Sequence, residues 1–322
     1  MQNGCNSSSN VSVLVLAFNE EVNLSACLCS VQWADEIFVV DSMSADRTRD
    51  IATKMGARVF EHHWEGYARQ WNWALDNLPF SHDWVLILDA DEMIPKPLAE
   101  EIQHTLRVPG NDSDGFYLNR RFFFLGRPLM HGSLFPSWQL RLFRRAMGRY
   151  EDRPLNPHIA LHGRAGRLRA PFDHIDMHSV ADWVAKHNKY TDVEADEYLQ
   201  ETYGKGYESS IPARFWGDQP ERKRWIKLRV WNRFPLLLRP FLFFFRNYFV
   251  KLGFLDGKPG FIYHVLWSFW VRFLIDTKII ERQMRQGTAR LSEGVLTTET
   301  PCPPGSPSCE LERKGIHAGA GG

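Results

Sequence analysis

The side chains in this sequence that are best suited to chemistry are carboxylates and amides placed directly after apolar runs. Asn19-Glu20-Glu21 follows the run 11–18, Asp41-Ser42 follows 36–40, and Asp89-Ala90-Asp91-Glu92 follows 84–88. In the last cluster, two carboxylates one residue apart can share a divalent cation, one directly and the other through water. Oxygen ligands suit Mg²⁺ or Mn²⁺, which complete their coordination with water and substrate phosphates. A simply solvated acidic turn is the alternative interpretation of the same residues.

Two histidines form a second candidate metal site. His174 and His178 are four residues apart, and with Asp173 or Asp176 they could ligate zinc. The sequence lacks the His-Glu-x-x-His pattern that places two zinc ligands on one helix face. Structural histidines therefore remain the alternative to a zinc site.

Alternating strands and helices must position the acidic clusters. Strands are predicted over 11–17, 36–40, 58–60 and 84–88, and helices over 20–31, 44–55 and 67–78, with Ser44 as the N-cap of the second helix. Strands separated by helices of this length predict right-handed crossovers and a parallel sheet. Ligands of such a sheet bind beyond the carboxyl ends of its strands, which is where all three clusters fall.

The pattern changes at Gly115. Short aromatic runs over 115–119, 121–125 and 138–143 predict strands of a mixed sheet, and 179–203 predicts a helix. The fold class is therefore α/β. The polar residues 1–10 and the Gly/Pro/Ser/Thr-rich residues 287–322 are predicted to be disordered.

Composition excludes several classes of protein. The chain has 322 residues, with 39 Lys+Arg against 38 Asp+Glu, and this balance argues against a general nucleic-acid binder. Five cysteines do not form a disulfide framework, and no secretory signal is predicted, so a reducing cytoplasm is the expected location. Neither a P-loop nor a Gly-x-Gly-x-x-Gly fingerprint occurs, so a metal and Arg/Lys side chains must hold any ligand phosphates.

Several segments together resemble family 2 inverting glycosyltransferases. They are Leu16-Ala-Phe-Asn-Glu-Glu21, Trp33-Ala-Asp-Glu-Ile-Phe-Val-Val-Asp41, Trp64-Glu-Gly-Tyr-Ala-Arg-Gln-Trp-Asn72, Asp83-Trp-Val-Leu-Ile-Leu-Asp-Ala-Asp-Glu92, Gln139-Leu-Arg-Leu-Phe-Arg144 and Lys251-Leu-Gly-Phe-Leu-Asp-Gly257. The similarity extends over roughly 11–280 and is greatest to the bacterial branch that builds lipopolysaccharide core and other envelope polysaccharides. It implies a GT-A (Rossmann-like) fold, a nucleotide-sugar donor, Mg²⁺ or Mn²⁺, and transfer of a hexosyl or heptosyl group.

The resemblance also implies roles for single residues on the donor side. Ala17, Asn19, Glu20 and Asp41 would line the nucleoside pocket, with Asp41 receiving a base N–H. Asp89 would face the ribose or a metal-bound water, and Asp91 would bind the metal directly. Arg69 and Asn72 would lie near the donor. His174 is a hypothetical third metal ligand, and Arg141 would neutralise the diphosphate unless it is an ordinary strand arginine.

Inverting transfer also requires a carboxylate that accepts the proton of the acceptor hydroxyl. The resembled branch commonly carries this base as the Glu of a Val-His-Glu-His-like segment that follows Asp-Arg. Pro157 stands at that position here. Asp152 is therefore the predicted base, with Glu151 and Asp173 as the other candidates.

The C-terminal third is rich in aromatic and basic residues. Residues 210–251 hold ten Lys/Arg and two acids, and the charge-free stretch 259–271 is too short to span a bilayer. Basic side chains among Phe and Trp suit an interfacial position on anionic lipids, although such helices could instead pack on the catalytic domain. The expected location is the inner face of the plasma membrane, with peripheral attachment.

These inferences divide the chain into a GT-A domain over 11–205 and a membrane-interfacial helical region over 206–286. Within the domain, 11–110 would bind the nucleotide and 111–205 the acceptor. The predicted function is metal-dependent sugar transfer to a lipid-linked or lipopolysaccharide-type glycan acceptor. The alternatives are a polyprenyl-phosphate glycosyltransferase and a non-catalytic protein that binds sugar nucleotides or glycans.

Overall fold

The computed structural model describes residues 9–110, 112–151, 158–203 and 234–296, together with Trp216 and Trp225. The strands are β1 (Val11–Ala17), β2 (Glu36–Asp41), β3 (Arg58–Glu61), β4 (Trp84–Asp89), β5 (Glu92–Met93), β6 (Gly115–Phe124), β7 (Arg127–Leu129), β8 (Trp138–Arg144), β9 (Gly148–Tyr150), β10 (Ile159–Leu161) and β11 (Ala165–His174). The helices are α1 (Leu24–Ser30), α2 (Thr48–Lys54), α3 (Tyr67–Asn77), α4 (Lys96–Arg107), α5 (Val180–Tyr203), α6 (Arg239–Phe245), α7 (Gly257–Tyr263) and α8 (Arg272–Leu296). The π-helical segments Arg246–Val250 and His264–Val271 continue α6 and α7.

Four strands form the parallel half of the main sheet, in the order β3-β2-β1-β4. Every residue of β1 is buried, because neighbouring strands flank it and apolar clusters cover both faces of the sheet. A run without polar alternation is what a strand covered on both faces requires. The predicted parallel sheet is therefore confirmed.

The rest of the main sheet mixes strand directions. β8 lies antiparallel between β4 and β6, β11 runs parallel to β6, and β5 pairs antiparallel with the end of β11. This last pairing sets His174 opposite Glu92, directly after the turn that holds Asp91. The α/β class with a mixed sheet, expected for a GT-A domain, is thereby confirmed.

The C-terminal helices form a third apolar cluster against α5. Ala195 of α5 is buried with Val271, Ile275 and Ile279, and Trp183 and Trp267 pack at its margin. Asp256 ties this region to the sheet, since its carboxylate accepts hydrogen bonds from the backbone N–H groups of Met130 and His131. Within the described ranges, no helix is both long and apolar enough to cross a bilayer.

The structure corrects several predicted boundaries. The helix α1 begins at Leu24 rather than Glu20, because residues 20–23 form a turn. The two strands predicted over 115–125 are one continuous strand, β6. Ser44 does not cap α2, which begins after Arg47.

Parts of both ends that were predicted to be disordered have defined structure. Ser9 and Asn10 are held by hydrogen bonds to the Asp35 carboxylate, and α8 continues past residue 287 to Leu296. Residues 1–8 and 297–322 lie outside the described residues.

Candidate active site

Strand register brings the predicted donor residues to one edge of the sheet. Ala17 is paired with Asp41 across β1 and β2, while Leu16 is paired with Asp89 across β1 and β4. Because one strand separates β2 from β4, Asp41 and Asp89 are about 10 Å apart on either side of the β1 end. The edge of the sheet between the tips of β2 and β4 is therefore the candidate donor cleft.

Asp41 is fully buried at the tip of β2. Its Oδ2 accepts a 2.8 Å hydrogen bond from the Ser44 N–H and lies 3.8 Å from Nε of Arg49. Its Oδ1 is also buried but has no hydrogen-bond partner among the described residues. A buried acceptor without a donor is costly, so Asp41 is suited to receive an N–H from a ligand.

The loop after β1 is joined to the loop after β2 by polar contacts. The N–H of Asn19 donates to Oγ of Ser44, and Oδ1 of Asn19 accepts from the N–H of Ala45, both at 2.8 Å. The N–H of Glu20 donates to Oγ1 of Thr48 at 2.8 Å. The Ser44 hydroxyl thus holds this loop instead of capping α2.

The side chain of Glu20 belongs to a polar cluster with Asn23 and Asp176. Its carboxylate accepts a 2.7 Å hydrogen bond from Asn23, which also donates to Asp176 at 3.3 Å. Burial, together with the nearby charge of Asp91, raises the pKa of Glu20 to about 7 against the hydrogen bond from Asn23. Asn23 was not predicted as a site residue, because its partner Asp176 lies far along the chain.

Asp89 is held in place by two donors at the tip of β4. The Tyr67 hydroxyl lies 3.0 Å from Oδ1 of Asp89, and Arg141 donates to Oδ2 at 2.9 Å. Tyr67 lies in the first turn of α3. It belongs to the segment Trp64–Asn72 that resembles the family, but no role was predicted for it. Both donors fix the orientation of the carboxylate toward the cleft.

Arg141 is buried beneath the cleft, where its guanidinium contacts Asp89 and Glu92. Burial raises the pKa of Glu92 to about 7 even though Arg141 opposes this shift. The described contacts of Arg141 therefore neutralise protein carboxylates. Neutralisation of a diphosphate by Arg141 remains a prediction.

Asp91 and His174 form the candidate metal centre. Nε2 of His174 lies 3.3 Å from Oδ2 of Asp91, and both side chains are largely buried. Burial alone would raise the pKa of Asp91, but His174 outweighs it and holds that pKa below its ordinary value. Oδ1 of Asp91 and Nδ1 of His174 are both buried without a hydrogen-bond partner in the described part of the chain.

Oδ1 of Asp91 fits a divalent cation as a carboxylate ligand. His174 would have to reach the same cation through Nε2, which now contacts Asp91, because Nδ1 is directed toward Glu92, 3.9 Å from its Oε1. Among the described residues, no group of three or more His, Cys, Asp or Glu side chains converges on one point. The remaining ligands would therefore come from water and from substrate phosphates. The side chains of the alternative zinc site do not converge either, although His174, His178, Asp173 and Asp176 are all among the described residues. His178 contacts Asp176 through Nδ1 at 2.7 Å, while Asp173 is paired with Arg121.

The two predicted donor residues on α3 differ in their surroundings. The Asn72 side chain forms two hydrogen bonds with the Tyr150 backbone, at 2.9 and 3.0 Å. These contacts hold the Tyr150 ring near Tyr67 and stacked on Trp71, beside the cleft. Arg69 is exposed near the start of the helix.

The predicted catalytic base, Asp152, lies outside the described residues, as does Pro157. Of the other candidates, Asp173 is engaged by Arg121 through two hydrogen bonds of 2.7 and 3.0 Å. Oε2 of Glu151 is buried and has no hydrogen-bond partner among the described residues. Glu151 therefore has an acceptor oxygen available, whereas both oxygens of Asp173 are engaged.

Comparisons with known proteins were consistent with one family. The sequence profile of glycosyl transferase family 2 matches residues 12–175. A lipopolysaccharide core biosynthesis glycosyltransferase, LpsC of Rhizobium meliloti, is 27% identical over 279 residues, which are 84% of this chain and 92% of LpsC.

Two solved structures are similar to this chain. A mannosyltransferase from Pyrobaculum calidifontis, in complex with GDP-Man and Mn²⁺, is 15% identical with a TM-score of 0.47, covering 84% of this chain and 87% of its own. Glucosyl-3-phosphoglycerate synthase from Mycobacterium tuberculosis, in complex with Mn²⁺ and UDP, is 16% identical with a TM-score of 0.39, covering 62% of this chain and 82% of its own.

Proposed function

Because the chain belongs to glycosyl transferase family 2, we propose that it is a metal-dependent inverting glycosyltransferase using a nucleotide-sugar donor. The acceptor would be a lipid-linked or lipopolysaccharide-type glycan, as the similarity to LpsC suggests. The observation that carries the proposal is the pair of buried, unsatisfied carboxylate oxygens on Asp41 and Asp91. Asp41 ends β2 and Asp91 lies in the turn after β4, the two strands that flank β1, at the edge where a parallel sheet binds ligands.

The donor would span the cleft between these carboxylates. Asp41 would accept an N–H from the base, and the joined loops around Asn19 and Glu20 would enclose the nucleoside. Asp89, oriented by Tyr67 and Arg141, would face the ribose or a water of the cation. A donor bound in this way would place its diphosphate beside Asp91.

Asp91 and His174 would hold the Mg²⁺ or Mn²⁺ ion, with Asp89 as an indirect ligand. When bound, such a cation neutralises the negative charge that develops on a departing diphosphate. The protein's part is to keep both ligand side chains oriented. Pairing of β11 with β5 and the 3.3 Å contact between the two side chains support that role.

The proton of the acceptor hydroxyl must pass to a carboxylate while the diphosphate leaves from the opposite face. Asp152 remains our proposed base, and Glu151 is the neighbouring alternative. Asp152→Asn should lower turnover much more than donor binding, whereas Glu151→Gln should not. The reverse result would identify Glu151 as the base. Unchanged turnover in both variants would show that neither carboxylate is the base.

Attachment to a membrane surface would bring the enzyme to a lipid-linked acceptor. The helices α6 and α7 and their π-helical continuations expose several large apolar side chains, including Phe241, Phe245, Phe249 and Phe261. Arg246, Lys251 and Lys258 are interspersed among them. Exposed rings beside cations suit the boundary of an anionic bilayer, on the cytoplasmic side in our proposal.

Pro157 favours one alternative acceptor. If a polyprenyl phosphate is the acceptor, its phosphate oxygen attacks without needing a base, so the missing Glu would be of no consequence. Detection of a sugar linked through phosphate to polyprenol would identify this reaction. A non-catalytic binding protein would instead bind the donor with Mn²⁺ but leave the sugar–phosphate bond intact on prolonged incubation.

The proposal is tested by a donor screen. Nucleotide sugars with different bases and sugars are added to the full chain with Mn²⁺, and thermal unfolding is followed. We expect one donor class to raise the unfolding midpoint, and we expect Asp91→Ala or a chelator to abolish this shift. Stabilisation that is independent of both Mn²⁺ and Asp91 would refute metal-dependent binding.

A further inference from the structure

A cavity of about 310 Å³ adjoins the candidate metal centre. It lies where β6, the loop after β11, α5 and the C-terminal helices meet, and Asp91 and His174 form part of its wall. The donor cleft at the tips of β1, β2 and β4 does not account for it. None of Ala17, Asn19, Asp41 or Asp89 lines this cavity.

One wall of the cavity is a continuous row of rings that leads away from His174. The Phe122 ring centroid lies 5.2 Å from that of His174 and 5.0 Å from that of Tyr263. Tyr263 stacks with Trp267 at 6.4 Å, and Trp267 contacts His187 edge-on at 5.3 Å. Aromatic rings offer flat, amphipathic surfaces on which the apolar C–H face of a pyranose can pack.

Two cationic side chains face the same space. Nε of Arg120 is buried and has no hydrogen-bond partner among the described residues. Lys186 also lines the cavity, where burial opposes its charge but the nearby carboxylates of Asp91, Asp176 and Glu20 raise its pKa and keep it charged. Asp91 and Asp176 each contact a histidine as well, His174 and His178 respectively. The cavity therefore presents a charged lysine and a guanidinium nitrogen that lacks an acceptor.

We propose that this cavity binds the acceptor, and that the acceptor saccharide carries an anionic substituent, a carboxylate or a phosphate. The proposal rests on the proposed glycosyltransferase function and specifies its acceptor class. The rings of Tyr263 and Trp267 would support the sugar, and Arg120 and Lys186 would bind the anion. Since Asp91 and His174 border both spaces, the acceptor would lie next to the donor diphosphate.

Ligand-observed NMR titrations of the full chain provide the test. The probes are methyl glucoside, methyl glucuronide and glucose 6-phosphate, so that neutral, carboxylate and phosphate forms of one sugar are compared. We expect at least one anionic probe to bind about tenfold more tightly than methyl glucoside. Equal affinities, or no binding of any probe, would overturn the proposal.

Variants then assign the anion to the cavity. Lys186→Met and Arg120→Gln should each remove most of the preference for the anionic probe, while Lys189→Met, an exposed lysine on the same helix, should not. Thermal unfolding of each variant verifies that it is folded. Preference unchanged in Lys186→Met and Arg120→Gln would place the anion elsewhere and overturn the proposal.

Nucleoside diphosphates with Mn²⁺ are titrated on the same samples. If they displace the anionic probe competitively, the cations belong to the donor site and the acceptor assignment is wrong. If nucleotides fail to bind while the anionic probe binds and depends on Lys186, the proposed donor chemistry fails but the anion site stands. The two failures are therefore distinguishable.

Discussion

Nε2 of His174 lies 3.3 Å from Oδ2 of Asp91, although the two residues belong to distant parts of the chain. The contact depends on β11 reaching the two-residue strand β5, where His174 pairs with Glu92. A candidate metal centre is thus completed by the last strand of the sheet. Oδ1 of Asp91 is buried without a hydrogen-bond partner among the described residues, so this carboxylate can still accept a ligand beside Nε2 of His174.

We expect His174→Ala to weaken Mn²⁺ binding by about tenfold or more, because one ligand is removed from the pair. Calorimetric titration of Mn²⁺ in the presence of a nucleoside diphosphate measures this change. His104→Ala, at an exposed histidine in the last turn of α4, is the matched control. Unchanged affinity in His174→Ala would end the assignment of His174 as a ligand.

Asp41→Asn should reduce nucleoside diphosphate affinity by roughly tenfold or more, since a charged acceptor for an N–H donor becomes neutral. The amide keeps the shape of the side chain, and its oxygen can still accept from the Ser44 N–H. Equilibrium titration with the nucleotide gives the affinity. Asp50→Asn, at an exposed position on α2, should bind normally. Equal binding by the two variants would contradict a base-recognition role for Asp41.

Removing Arg141 should destabilise the fold strongly. Arg141→Met leaves Glu92 buried and Asp89 half-buried without their cation, at a cost of about 3–5 kcal/mol in the free energy of unfolding. Adding Glu92→Gln should recover part of this loss. Urea unfolding measures both effects, with the exposed Arg164→Met expected to change stability by less than about 0.5 kcal/mol. If Arg141→Met changes the free energy of unfolding only slightly, Asp89 and Glu92 do not depend on Arg141 for their stability.

His264 should make the stability of the protein depend on pH. Burial lowers the pKa of His264 against the opposing charge of Asp256, so the folded state favours the neutral ring. The unfolded state therefore binds a proton more readily than the folded state does. The free energy of unfolding is undiminished above the ordinary histidine pKa of about 6.5 and decreases as the pH falls below it.

Each unit by which that pKa is lowered corresponds to about 1.4 kcal/mol. Unfolding measured from about pH 7.5 to about pH 5.5 should show a smaller loss of stability in His264→Gln than in the parent. His104→Gln, which changes an exposed ring, should retain the parent's pH dependence. If His264→Gln also retains it, the buried ring is not responsible.

The exposed rings of the C-terminal helices should govern binding to lipid. Phe245 and Phe249 are 58% and 47% exposed, and burying each ring in a bilayer interface contributes about 1.5–3 kcal/mol. Replacing both by Glu should reduce flotation with phosphatidylglycerol vesicles by more than about tenfold. Val108→Glu, at an exposed apolar residue after α4, is the control. Equal flotation of the double variant and Val108→Glu would show that Phe245 and Phe249 do not contribute to membrane binding.

Much of the parallel half could be predicted from sequence, because its signals are local. An unbroken apolar run marks β1, and acidic residues at the ends of β2 and β4 predict the ligand edge. The predicted helix over 67–78 differs from α3 by a single residue. Local patterns also predicted Asp41 and Asp91 as site residues, because Asp41 ends β2 and Asp91 lies just beyond β4.

Contacts between residues far apart in the chain could not be predicted from the sequence. Nothing near Gln139 indicates that β8 lies between β4 and β6, a position that directs Arg141 to Asp89 and Glu92. The sequence also does not reveal that the Asn72 side chain forms hydrogen bonds with the Tyr150 backbone. The cavity beside His174 likewise joins Lys186 to Tyr263 and Trp267, which the sequence keeps apart.

The hydrogen bonds between the loops after β1 and β2 have a thermodynamic consequence. Fixing one backbone residue costs about 1–2 kcal/mol of conformational entropy. Asn19 and Glu20 are already fixed by Ser44, Ala45 and Thr48. The walls of the proposed nucleoside pocket would therefore lose little freedom on binding a donor, and amide hydrogen exchange in these loops should be slow before any nucleotide is added.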